Sequence, residues 1–169
     1  MNRLAVSYDH AGRRDEALQL REEVLPLCRK VLGPEYPDTL WAMGNLAASY
    51  DEAGRRDEAL KLCEELLPLC RKVRGPEHPD TLSAMLSLAI SYQAAGRQDE
   101  ALQLWEELLT LRRKLLGPEH PDTLSAMGNL ANSYHDAGRR DEALKLRKEQ
   151  LTLRPDDPGA HNDAAWKLA

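Results

Sequence analysis

Histidine is the residue type in this sequence that most often binds metal ions. The 169 residues include five histidines, and two of them, His78 and His120, occur in HPD tripeptides 42 residues apart. Equivalent residues of neighbouring helix pairs lie about 10 Å or more apart, whereas zinc ligands lie about 2 Å from one ion. We therefore predict no metal site, and we assign both histidines to turns, as helix caps or solvated groups.

The three cysteines do not form a pattern typical of disulfide bonding or redox chemistry. Their number is odd and no CxxC motif is present, which is typical of a reducing compartment. Cys63 and Cys70 are seven residues apart, about 10 Å along a helix, which is too far for a disulfide bond. Cys28 and Cys70 are 42 residues apart, and Arg112 follows at the same step. Because arginine is rarely buried, we predict partly exposed thiols at this position.

Recognisable catalytic motifs are absent from the sequence. It contains no glycine-rich phosphate-binding loop, no GxSxG and no HExxH, the patterns that hold phosphates, a nucleophilic serine or zinc. The acidic pairs Glu64–Glu65 and Glu106–Glu107 are interpreted as solvated helix faces. We predict no catalytic residues and no cofactor, and we expect that the chain is not an enzyme.

Composition and charge restrict the possible partners. The chain has 23 Lys and Arg against 28 Asp and Glu, a net charge of −5, which argues against nucleic acid because phosphate binding needs concentrated positive charge. No apolar run approaches the roughly 18 residues of a membrane span, and the first residues lack the apolar core of a secretory signal. We expect a cytoplasmic protein whose partner is neither nucleic acid nor a membrane.

A period of 42 residues organises the whole sequence. GPEYPDTL begins at Gly33, and GPEHPDTL begins at Gly75 and again at Gly117. Residues 33–74 and 75–116 are identical at 28 of 42 positions, so the array is either recently duplicated or designed from a consensus. A period of this size predicts a stack of similar units that bury their apolar faces on one another.

Each repeat is predicted to contain two antiparallel helices, A and B. Apolar residues at helical spacing predict helix A over residues 37–53, ended by Gly54, and helix B over about residues 56–74, ended by Gly75. Pro26 and Pro68 fall inside B helices, where proline removes a hydrogen bond. We predict a bend in these two helices that the next B helix lacks.

The repeat resembles the tetratricopeptide repeat. The family places small residues where helices A and B cross, and the matching residues in one repeat are Leu46, Ala47, Tyr50, Gly54 and Ala59. The 42-residue form is similar to kinesin light chain and to the repeat arms of NB-ARC-type signalling ATPases. The resemblance implies an all-α fold, an α-solenoid in which antiparallel helix pairs form a right-handed superhelix.

The period also predicts the boundaries of the repeats within one array. Residues 1–32 form a partial first repeat, residues 33–74, 75–116 and 117–154 form full repeats, and residues 155–169 form a C-terminal half-repeat helix. Nine helices are expected, with the first and last incomplete. Such incomplete ends leave apolar faces exposed, so we also expect end-to-end self-association.

The resemblance implies a peptide-binding groove lined by A helices. Asparagine suits this role because its amide both donates and accepts hydrogen bonds, and Leu86 with Ile90 predicts an apolar spot that takes a peptide side chain. The residues that we assign to the groove on this basis are Trp41, Asn45, Leu86, Ser87, Ile90, Asn129 and Asn132.

The functional prediction is a non-catalytic module that binds a peptide or protein segment. Because few basic residues face the groove, the preferred segment is neutral or basic and partly apolar. Two alternatives remain open: the sensor arm of a larger NB-ARC-type ATPase, and a repeat scaffold, natural or designed, that has no partner.

Overall fold

The computed structural model describes Ala5, Ser7, Tyr8 and residues 11–153. In these residues every regular element is a helix, which confirms the all-α prediction. The predicted first A helix, apart from three residues, and the predicted half-repeat helix at 155–169 lie outside the described residues. The helices in the described part are α1 (Arg14–Val31), α2 (Pro37–Glu52), α3 (Arg56–Arg74), α4 (Pro79–Ala94), α5 (Gln98–Leu116), α6 (Pro121–Asp136) and α7 (Arg140–Leu153).

The helices belong to two compact units, which cover Met1–Arg97 and Gln98–Ala169. In the first unit α2 packs on α1, α3 packs on α2, and α4 packs on α3; in the second, α6 packs on both α5 and α7. Within each unit, helices that follow one another in the chain are thus also neighbours in space, as expected for helix pairs joined by short turns.

The A helices begin in the same way in each full repeat. Pro37, Pro79 and Pro121 occupy the first helical position, where the missing N–H of proline costs no hydrogen bond. His78 Nδ1 accepts a hydrogen bond from the backbone N–H of Asp80 at 3.1 Å, and His120 does the same for Asp122 at 3.1 Å. The prediction that these histidines cap turns is confirmed. Tyr36, the equivalent residue before α2, has no side-chain cap.

Replacing Tyr36 with histidine should raise the free energy of unfolding by about 0.5–1 kcal/mol, because an imidazole there can cap α2 as His78 caps α4. Tyr36 is 49% exposed, so little buried surface is lost. Thermal unfolding at pH 8, where an imidazole nitrogen can accept a hydrogen bond, measures the effect. Tyr36→Ala is the control, and equal melting temperatures for the two variants would contradict the prediction.

The helices end as the sequence predicts. Gly54 and Gly75 adopt φ values of +75° and +87°, a region that residues with a Cβ rarely enter. Helix α3 spans the predicted residues, Arg56–Arg74. Helices α1 and α3 continue through Pro26 and Pro68, and their bending stays a prediction.

The core is built from one residue pattern used repeatedly. Met43, Met85 and Met127 are fully buried, and the alanines equivalent to Ala59 are buried in every B helix. Small residues at these positions allow the backbones of crossing helices to come close. Trp105, on α5, is the largest fully buried side chain among the described residues.

Candidate functional site

The first unit contains an open pocket of about 870 Å³ between helices α2, α3 and α4. Two A helices form its sides, and the B helix between them forms its base. Residues of α2 contribute Pro37, Asp38, Leu40, Trp41, Gly44 and Asn45; α3 contributes Leu66, Cys70 and Arg74; and α4 contributes Asp80, Ser83, Ala84 and Ser87.

Two small residues leave the space that forms this pocket. Gly44 has no side chain, and a Cβ at this position would lie 3.7 Å from Leu66 Cδ2, an ordinary contact distance. Cys70 is the second small residue at the base. One repeat later the equivalent positions hold Leu86 and Arg112, which are far larger.

The polar groups of the pocket are available to a ligand. Trp41 is 50% exposed, and Ser83 and Ser87 are exposed on the facing helix. Asn45 is half-buried on α2. Its Nδ2 is buried and donates no hydrogen bond to any described residue, so the part of this side chain that a ligand in the pocket can reach is its exposed part.

The structure brings together three of the predicted groove residues. Trp41, Asn45 and Ser87 line the same pocket. Leu86 is half-buried and Ile90 is 45% exposed on α4, and both lie outside this lining.

The two remaining predicted residues, Asn129 and Asn132, belong to α6 of the second unit. Asn129 is half-buried and Asn132 is exposed. Asn132 is not free, because its Oδ1 accepts a hydrogen bond from Arg147 Nη2 at 2.6 Å. The repeat pattern does not predict this contact. The residue equivalent to Arg147 in the preceding repeat is Trp105, which has no guanidinium to donate.

Three residues of a B helix line the pocket although they were not predicted to belong to the site: Leu66, Cys70 and Arg74. The family resemblance implies a groove lined mainly by A helices. One sequence signal could have predicted that α3 contributes to the pocket. This repeat carries small residues, Gly44 and Cys70, at two positions where the next repeat carries large residues.

The prediction of partly exposed thiols is wrong for Cys70. Cys70 is buried, and burial raises the pKa of its thiol, so the thiol stays neutral at the base of the pocket. Cys28 is half-buried. Arg112, the basis of that prediction, is itself buried. Its Nη1 donates a hydrogen bond to the backbone carbonyl of Asp122 at 2.8 Å, which allows the charged side chain to leave the solvent.

A recurring tyrosine–arginine contact stabilises the turns between helices A and B. Each guanidinium lies over a tyrosine ring, 4.2–4.5 Å from its centroid, in the pairs Tyr8–Arg13, Tyr50–Arg55, Tyr92–Arg97 and Tyr134–Arg139. Arg55 also pairs with Glu22 of the preceding B helix at 2.7 Å. This distance and geometry are those of a cation–π interaction supported by an ion pair.

Glutamates of the preceding B helices complete these contacts. Tyr92 Oη donates to Glu64 Oε1 at 3.2 Å, and Tyr134 Oη donates to Glu106 Oε1 at 2.7 Å. Glu106 is exposed, as predicted for a solvated helix face, and Glu64 is half-buried. Both also make a specific contact that was not predicted from the sequence. Each joins a B helix to the A helix that follows it, 28 residues later in the sequence.

Tyr134 should titrate well above free tyrosine. Burial, followed by the hydrogen bond to Glu106, raises the pKa of Tyr134 to about 12. An unfolded chain ionises its tyrosines near pH 10. The stability that neutral Tyr134 contributes to the folded state is therefore complete below about pH 10 and should be lost as the pH rises toward 12. The absorbance of tyrosinate at alkaline pH, compared between wild type and Tyr134→Phe, measures this titration. If the difference in tyrosinate absorbance between wild type and Tyr134→Phe did not grow above about pH 11, the prediction would be contradicted.

Neither a group of metal ligands nor a membrane-spanning helix is present among the described residues. Across residues 11–153 and the three described near the start, no group of three or more His, Cys, Asp and Glu side chains is placed to hold a metal ion. No helix in these same ranges is both long and apolar enough to cross a bilayer.

Comparisons with known proteins place the chain in a family. A family model described as "Tetratricopeptide repeat" matches residues 1–62, 52–110 and 99–156. No curated protein matches the sequence.

Solved structures show the same architecture. The kinesin light chain nearly identical TPR-like repeats of Podosopora anserina share 32% identity, with a TM-score of 0.83 over 91% of this chain and 73% of that one. A point variant of the same protein gives 31% identity and a TM-score of 0.84 over 93% and 74% of the two chains. BtubC (BKLC) from P. vanneervenii is 23% identical, with a TM-score of 0.81 over 90% of this chain and 61% of that one, and shows the fold alone. The chain belongs to the tetratricopeptide repeat family, in its 42-residue, kinesin-light-chain-like form.

Proposed function

We propose that the chain is a non-catalytic interaction module that binds an extended segment of another protein in the pocket between α2, α3 and α4. Tetratricopeptide repeats are typically protein-interaction modules. The observation that carries the proposal is the pocket itself, which combines an apolar base with exposed polar groups on two facing helices.

The lining suits a peptide in chemistry and in size. The volume of the pocket, about 870 Å³, falls within the range of about 300–1,000 Å³ that is usual for ligand sites. Leu40, Leu66 and Ala84 are buried apolar residues that can contact a side chain, and Trp41 adds an exposed aromatic face. Asn45 can accept a hydrogen bond from a peptide backbone N–H through its side-chain carbonyl oxygen.

Other predicted groove residues extend the proposal. Leu86 and Ile90, four residues apart on α4, lie on the same helix face and offer a second apolar contact. Asn129 on α6 offers the same amide chemistry as Asn45. Because Asp38 and Asp80 outnumber Arg74 in the pocket, the segment we propose is neutral or basic and partly apolar.

Gly44→Leu tests the proposal by filling the pocket with the residue that the next repeat carries. An array of heptapeptides of mixed sequence, probed with the full chain, should give signals with wild type and at least about tenfold weaker signals with Gly44→Leu. Leucine is a better helix former than glycine, so thermal stability should not fall.

Gly44→Ala is the matched control, because a single Cβ meets only an ordinary contact with Leu66. It should retain binding to the same peptides. The proposal would be rejected if no peptide bound to wild type, or if Gly44→Leu bound the wild-type set unchanged while circular dichroism showed it folded.

A further inference from the structure

We propose that this pocket recognises a cationic side chain, lysine or arginine, held between the Trp41 ring and the Asp38 carboxylate. The inference rests on the proposed function and specifies its ligand. It depends on three features of the described residues: an unneutralised carboxylate, an exposed aromatic ring beside it, and the use of the same contact elsewhere in the chain.

Asp38 is the unneutralised charge in the pocket. Three charged residues line it, and two of them form a pair with each other, because Arg74 Nε lies 3.6 Å from Asp80 Oδ2. Among the described residues, no cation pairs with Asp38. The pocket therefore presents to a ligand one carboxylate that no described side-chain cation neutralises.

The sequence explains why Asp38 has no cationic partner although Asp80 has one. Arg74 stands six residues before Asp80, whereas a leucine stands six residues before both Asp38 and Asp122.

Trp41 supplies the aromatic surface for a cation. Asp38 and Trp41 are three residues apart on α2 and so lie on the same helix face. Trp41 is 50% exposed, and the equivalent residues of the next two repeats are serines. Tryptophan is the aromatic side chain that attracts a cation most strongly, so the ring and the carboxylate favour the same type of ligand group.

The chain already uses this combination in its own structure. Arg55 lies 4.4 Å from the Tyr50 ring centroid and pairs with the Glu22 carboxylate at 2.7 Å. A guanidinium between an aromatic ring and a carboxylate is thus a geometry that these helix pairs accommodate. In the pocket the ring and the carboxylate are present, and the cation would come from the partner. An acidic segment would instead meet Asp38 unscreened, which disfavours it.

A peptide library with one fixed position tests the inference on the full chain. Acetylated heptapeptides carry Arg, Lys, Gln or Glu at the centre and equimolar mixtures elsewhere, and their retention on the immobilised protein is measured. Wild type should retain the Arg and Lys pools over the Gln pool, and Asp38→Asn should reduce that preference by about tenfold. Asp38→Lys should shift retention toward the Glu pool.

Asp122→Asn is the matched control, since Asp122 occupies the same repeat position on α6 in the second unit. Its preference should equal that of wild type, and circular dichroism verifies that each variant is folded. Trp41→Ala should lose the preference as Asp38→Asn does.

The outcomes separate the two proposals. If wild type retains all pools equally, or Asp38→Asn keeps the Arg and Lys preference, then cation recognition is overturned while peptide binding stands. If wild type retains the Glu pool best, the inference is overturned in the same way. If wild type retains no pool, both proposals fail.

Discussion

Replacing Trp105 with alanine should lower the free energy of unfolding by about 3–5 kcal/mol, the usual cost of removing a large buried aromatic side chain. Trp105 is fully buried on α5. Its removal forfeits the burial of the ring and leaves a cavity that the surrounding helices fill only in part. Urea unfolding followed by far-UV circular dichroism measures the loss, because a fluorescence signal would change with the number of tryptophans.

Trp41→Ala is the control for this prediction. Trp41 is 50% exposed, so its removal should change the free energy of unfolding by no more than about 1 kcal/mol. Amide hydrogen exchange should locate the loss of protection caused by Trp105→Ala in residues 98–153. Equal destabilisation by the two variants would show that Trp105 does not fill the core as its burial indicates.

Replacing Arg112 with alanine should lower the free energy of unfolding by about 1–3 kcal/mol, because it removes a hydrogen bond made by a charged donor. Arg112 Nη1 donates to the Asp122 carbonyl at 2.8 Å, near the start of α6. The aliphatic part of the side chain also contributes buried apolar surface. Chemical unfolding of the variant gives the size of the effect.

Two variants separate the hydrogen bond from other effects. Arg112→Met keeps the apolar volume but not the donor, so the part of the cost that it retains belongs to the hydrogen bond. Arg113→Ala removes a more exposed arginine that pairs with Glu149 at 2.8 Å, and exposed ion pairs contribute only about 0–1 kcal/mol. If Arg112→Met unfolds at the same urea concentration as wild type, the carbonyl contact does not stabilise the unit.

The helices of this protein are well predicted from the sequence because their signals are local and recur. Pro37 and Gly54 mark the ends of a helix through their own backbone preferences, and the apolar spacing between them selects the buried face. Each repeat gives the same signal again, so an ambiguous residue in one repeat is resolved by its equivalents.

The site and the polar contacts are less predictable because they depend on differences between repeats. Arg112 was expected to mark an exposed position, yet a carbonyl from the next helix accepts its hydrogen bond. Glu64 looks like an ordinary surface glutamate until Tyr92, 28 residues later, is found beside it. The pocket requires two small residues from different helices, Gly44 and Cys70, and neither alone predicts it. Self-association of the chain stays a prediction.

The small residues at the base of the pocket have a consequence for how such arrays diversify. Residues 33–74 and 75–116 differ at 14 of 42 positions. At two of these positions the first repeat carries Gly44 and Cys70 where the next carries Leu86 and Arg112, and these small residues leave space where α2 and α3 pack. A tandem copy can therefore gain or lose a pocket through a pair of point substitutions, without altering the residues that maintain the stack. The shape of this surface can then diverge among sister copies while their shared framework persists.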